Sequence, residues 1–198
     1  LLLREDALEW ARFALADTEL TLVGHNVSFD LGVLAAEDPA LLPLIFAAIE
    51  AGRIKDTQVR EKLLFLAQGR LTYDYVNKKR SPSFSLATLV RNRFKEDLSE
   101  SKHGEDAWRL RYNELDGVPL DQWPKEAVLY ALDDAQWTYK VYKSQAEPFK
   151  CDGTRYAGPD GVTNEDEQMR AAWGLHLISL WGIRTDADQV GKLEEELR

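Results

Sequence analysis

The chain has 198 residues, 44% of them hydrophobic, which is enough for one packed domain and a small appendage. Its net charge of -9 argues against a protein that coats nucleic acid with Lys and Arg. It leaves open an enzyme that meets phosphate through bound cations held by carboxylates. Cys151 is the single cysteine, so neither an intramolecular disulfide nor a cysteine zinc site can form, which suits a reducing compartment. No apolar run approaches the roughly 20 residues that cross a bilayer, and no secretion signal opens the sequence, so the reading is a cytoplasmic or otherwise intracellular protein with no membrane partner.

Ala7, Trp10, Ala11 and Ala14 recur at helical spacing and predict an amphipathic helix over residues 5–16. The short apolar run 20–23, ending at Gly24, reads as a buried strand, and helical pattern resumes over 28–36. Pro39 and Pro43 interrupt before a helix over 44–51, and 53–56 is a candidate strand with Thr57 as cap of the helix that follows to Ala67. Residues 68–82 read as a loop, and Leu86, Leu89, Val90 and Phe94 mark a helix. The polar stretch 95–117, with Trp108 and Tyr112, has no assigned structure. After Pro124, the alternation of Val128, Leu132, Ala135, Tyr139 and Tyr142 predicts a long helix with that face in the core.

Gly153, Gly158, Pro159 and Gly161 suit a linker over 150–164, which divides a domain over 1–149 from a segment over 165–198. A strongly apolar helix over 165–181, stopped by Gly182, and a last helix capped by Thr185 fill that segment, with Trp173 and Trp181 as anchors onto a remainder outside the chain. Strands alternating with helices over the first 150 residues give an α/β layer structure.

Two carboxylate positions stand on rigid backbone. In Gly24-His25-Asn26-Val27-Ser28-Phe29-Asp30 the chain leaves a strand and enters a helix, so Asn26 and Asp30 project to one side while Phe29 anchors the other in the core. In Tyr130-Ala131-Leu132-Asp133-Asp134 a phenol and a carboxylate share one helical edge, distinct from the apolar stripe.

In these motifs the chain resembles the DEDD superfamily of 3′-to-5′ exonucleases, tyrosine subclass, and within it the proofreading domain of family A DNA polymerases. Asn26 to Asp30 matches that family's second motif and Tyr130 to Asp134 its third; Asp56-Thr57 and Ser85-Leu86 fall where the family carries an Asp-Thr and a Ser-Leu helix start. Past the linker, Trp181-Gly182-Ile183-Arg184-Thr185-Asp186 resembles the opening of a polymerase domain. The resemblance implies a ribonuclease-H-like fold and hydrolysis of the 3′-terminal phosphodiester with two divalent cations, Mg2+ or Mn2+. By resemblance Asp134 helps hold the ion that carries the nucleophile, Asp30 the ion at the leaving group, and Tyr130 orients the attacking water.

The family's first motif, Asp-x-Glu on the first strand, has no counterpart here, because Glu5 and Asp6 stand in the wrong order on a helix. The expectation is therefore a fold lacking its first strands and a site incomplete in these residues, inactive by itself. The implied partners are a single-stranded DNA 3′ end or primer-template and the remainder of a polymerase chain. Lys78, Lys79 and Arg80, beside Tyr73 and Tyr75, and Asn26 are candidate substrate contacts, by phosphate pairing and base stacking; a solvated loop accounts for the basic run equally well. Arg91, Arg93, Arg109 and Arg111 carry the same ambiguity, and His25 reads as a hydrogen-bonded structural residue. The alternatives are an RNA-trimming exonuclease of the ribonuclease D kind and a non-catalytic domain that guides DNA or braces a polymerase.

Overall fold

The computed structural model describes residues 4–68, 70, 83–98, 108–146, 149–151, 154–156, 164–182 and 187–196. Helix α1 (Arg4–Ala16) leads into strand β1 (Leu22–Gly24), helix α2 (Val27–Glu37), a 3-10 turn (Pro39–Leu41) and helix α3 (Leu42–Glu50). Strand β2 (Ile54–Asp56) passes straight into helix α4 (Thr57–Ala67), and helix α5 (Leu86–Phe94) follows. Three 3-10 turns precede the long helix α6 (Lys125–Ala146); a hairpin of β3 (Phe149–Cys151) and β4 (Thr154–Tyr156) then leads to α7 (Glu165–Trp181) and α8 (Ala187–Glu196).

β1 and β2 pair in parallel, with Gly24 opposite Asp56, so two strand-to-helix junctions lie side by side at one end of the sheet. A parallel pair needs a crossover, and α2 with α3 supplies it. The main core gathers Leu15, Leu31, Leu41, Ile45 and Ile54 around this crossover, and Met169, Trp173 and Leu177 of α7 complete it. A second cluster of Leu86, Leu89, Val90 and Val141 joins α5 to α6.

Four expectations need correction. Phe29 is 58% exposed; α2 buries Val27, Ser28, Leu31 and Gly32 instead, because the turn at Asn26 sets the helix phase one residue earlier. The N-cap of α4 is Asp56, whose side chain accepts the N–H groups of Gln58 and Val59; Thr57 points inward. On α6, Leu132 and Tyr139 are 40% and 59% exposed, and the buried positions are Ala127, Thr138, Val141 and Gln145, the face that also carries Asp134. Gln145 goes inside because α4 accepts both of its amide N–H groups, as described below, and Val141 because it packs on α5.

The fourth concerns α7, which packs on the first domain's own core rather than on an outside remainder. Trp173 is 1% exposed and meets Phe46 edge-on, and a Cβ at Gly32 of α2 would stand 2.5 Å from His176 of α7. Arg60 of α4, itself buried, makes two 3.0 Å bonds to Glu165, and Lys55 of β2 bonds Asp166 at 2.7 Å. Trp181 of the same helix remains exposed. The hairpin, apart from Phe149, lies within the stretch 150–164 read as a linker.

Candidate active site

The junction after β1 is built around close approach. A Cβ at Gly24 would stand 2.6 Å from Val27, so the strand can turn into α2 this tightly only with glycine there. Asn26 takes the left-handed conformation at φ 59°, ψ 43°, a region asparagine tolerates better than most residues. Its own side chain does not cap the helix. Asp56, from the neighbouring junction, takes that part: Oδ2 accepts from Val27 N at 2.8 Å and Oδ1 from Asn26 N at 3.2 Å, while Oδ1 also takes Gln58 N at 2.7 Å and Val59 N at 3.2 Å. One buried carboxylate thus caps two helices and ties both junctions together.

His25 Nδ1 lies 2.9 Å from Thr57 Oγ1, and that hydroxyl donates to the Gly24 carbonyl at 3.2 Å. The network continues to α6: Gln145 Nε2 donates to the Thr57 carbonyl and to Glu61 Oε2, each at 2.8 Å, and Arg93 of α5 donates to the same Glu61 oxygen at 2.5 Å and to Ser144 O at 3.2 Å. These bonds explain how α6 can bury Gln145, and they fix its rotation about its own axis.

That rotation turns Asp134 toward α2. A cavity of about 370 Å³, within the size range of small-ligand pockets, is lined by Val23, Gly24, His25, Asp30, Leu86, Asp134, Ala135 and Thr138. The two motifs, 104 residues apart in sequence, therefore supply one carboxylate each to a single cavity. Asp30's carboxyl is pushed above its ordinary value, first by loss of water around it; its own backbone hydrogen bond lowers it, and Asp56 and then Asp134 raise it. The residue as a whole is exposed, so solvent screens much of this repulsion.

The family model described as 3′-5′ exonuclease, of the DNA polymerase A type, matches residues 1–146. The chain belongs to this 3′-5′ exonuclease family. The comparisons with curated proteins and with solved structures gave no match. The exonuclease fold here is α/β: mostly helical around a parallel strand pair, as in a ribonuclease-H-like domain without its first strands among the described residues.

The exonuclease chain brings Asp30 and Asp134 together, with His25 beside them, and leaves Tyr130 one turn earlier on α6, half-buried against Tyr112 with ring centroids 6.2 Å apart. Asn26 is exposed at the head of α2. Lys78, Lys79 and Arg80 lie outside the described residues, as do Tyr73 and Tyr75. Arg93 is a structural residue of the α4 to α6 network, Arg111 pairs with Glu114 at 2.8 Å, and Arg91 is exposed.

Sequence reasoning passed over Asp56 as a ligand of backbone and gave Tyr112 no role. An Asp closing a strand just before a helix is an N-cap signal, and it was available; nothing local marks the second helix that Asp56 caps. Among the described residues no group of three or more His, Cys, Asp or Glu stands together as a metal cage, and no helix is long and apolar enough to cross a membrane.

Proposed function

We propose that this exonuclease is the proofreading portion of a family A-like DNA polymerase, removing nucleotides from single-stranded 3′ ends. The observation that carries the reading is the shared cavity of Asp30 and Asp134 at the mouth of the parallel strands. Two carboxylates lining one cavity can share a cation, and Mg2+ is commonly held by one or two carboxylates with several waters retained. The donor set fits an Mg2+ or Mn2+ ion held by Asp30 and Asp134; a second ion needs oxygen ligands beyond this pair. When bound, such ions supply a more acidic water and neutralise charge developing on the phosphate.

The parts proposed for the residues are those that the resemblance implies. Asp30 and Asp134 hold the positive charge at the phosphate, and Tyr130 orients the attacking water rather than taking its proton, since an ordinary phenol already carries its own at neutral pH. The water oxygen bonds to phosphorus, the bond from phosphorus to the 3′ oxygen of the preceding nucleotide breaks, and that oxygen takes up a proton. Asn26 at the exposed head of α2, with Lys78, Lys79 and Arg80, contacts the strand.

The test is the natural polypeptide with Mg2+ or Mn2+ and 5′-labelled single strands. Stepwise shortening of DNA from the 3′ end, faster than of RNA, supports the proposal. Faster RNA trimming would favour a ribonuclease D-like role, and no shortening of either would favour a domain that guides DNA without chemistry.

A further inference from the structure

The stretch between α5 and α6 has no part in the site as described so far, yet its described portion wraps the start of α6 in three 3-10 turns, Trp108–Leu110, Tyr112–Leu115 and Leu120–Gln122. We propose that Tyr112 is a positioning residue that holds Tyr130 in its working orientation, through a hydroxyl bond to the backbone of α6 and an edge-on ring contact. This rests on the nuclease reading above.

The Tyr112 hydroxyl donates to the carbonyl of Ala127 at 2.8 Å, and Ala127 is fully buried in the first turn of α6. The Tyr112 ring meets that of Tyr130 at a 62° interplanar angle, an edge-to-face pairing. Ala127 and Tyr130 are three residues apart and Asp134 four further on, so all three share one edge of the helix. A side chain that grips this edge at its first turn and presses on the next residue along it restricts the rotamers open to Tyr130.

Tyr112 is itself braced. Trp123 stands 6.1 Å away on one side, with its indole N–H donated to the Val118 carbonyl at 2.9 Å, and Trp108 stands 6.3 Å away with the Arg111 guanidinium 4.6 Å over its ring. Burial and then the charge of Asp134 push the Tyr112 phenol upward, which agrees with a place within electrostatic reach of the site.

The test is a mutant cycle in the natural polypeptide, with kcat and KM measured on 5′-labelled single-stranded DNA in Mg2+. Tyr112→Leu is expected to lower kcat about tenfold at unchanged KM, the signature of a misplaced group rather than weaker binding. In a Tyr130→Phe background the same change is expected to cost less than about twofold, because the group it positions has already lost its hydroxyl. Multiplying effects, or a Tyr130→Phe enzyme with wild-type kcat, would overturn the inference. Should Tyr112→Leu not fold, Tyr112→Phe serves in the same cycle: a drop of about threefold in kcat that vanishes beside Tyr130→Phe supports it, and a drop that persists there refutes it. Asp134→Ala run alongside separates the two levels, since an unchanged rate there sinks the nuclease reading itself.

Discussion

Asp56 Oδ2 accepts the backbone N–H of Val27 at 2.8 Å across the end of the parallel strand pair, although the two residues begin different helices. Because Oδ1 serves Asn26, Gln58 and Val59 as well, the carboxylate satisfies four backbone donors that helix starts leave without partners. The position of Asp30, one turn into α2, follows from this bond.

Replacing Asp56 by Asn keeps one acceptor oxygen and turns an N–H donor toward other donors. We expect Asp56→Asn to lower stability by about 3 kcal/mol in urea unfolding, and to lower nuclease rate as α2 loosens. A stability within about 0.5 kcal/mol of wild type would show that the junctions do not depend on this cap.

Asp30 carries a raised carboxyl, so the folded state keeps its proton to higher pH than the unfolded state does. By linkage the folded state then loses stability as pH rises from near the unfolded value of about 4 through the folded one, and at pH 7 the charged Asp30 is a net cost. Without divalent cation, Asp30→Asn should raise the melting temperature by about 2 °C at pH 7 and by nothing near pH 3, the gain staying small because the residue is exposed. Added Mg2+ should stabilise the wild type more than the variant. Equal melting temperatures at pH 7, or a gain that grows toward acid, would contradict this.

The family match ends at residue 146, but the packed core does not. Trp173→Ala should cost about 4 kcal/mol, the range for a large aromatic removed from a core. A chain ended after Ala146 also loses Met169, Leu177 and the partner of the buried Arg60, and is expected to melt without a cooperative transition and to bind a hydrophobic dye. A sharp melt from the shortened chain would place α7 outside the domain.

Local signals in the sequence carried the element list well. Leu86, Leu89, Val90 and Phe94 mark α5, with Ser85 capping it where the resemblance implies a helix start, and Gly182, at φ 73°, stops α7 where glycine should. They failed on α6, where apolar periodicity pointed Leu132 and Tyr139 inward while Ala127, Thr138, Val141 and Gln145 are the buried residues. The reason is tertiary: Gln145 can be buried only because Thr57 and Glu61, more than 80 residues away, accept its protons, and periodicity sees no such partner. Phe29 was misread for a related cause, since the left-handed turn at Asn26 resets the phase of α2. The meeting of Asp30 and Asp134 was legible only through the ordered motifs, and Tyr112 gave no pattern at all.

In the proposed reaction two acids from distant parts of the chain act on one phosphodiester. The most direct measurement is the rate of 3′-terminal nucleotide release from single-stranded DNA in Mg2+ for Asp30→Ala, Asp134→Ala and, as control, Asp133→Ala, an exposed neighbour in sequence that does not line the cavity. Asp30→Ala and Asp134→Ala should each fall by on the order of 100-fold or more, the double variant little further, and Asp133→Ala should stay within about twofold of wild type. A wild-type rate from Asp30→Ala or Asp134→Ala would contradict the account.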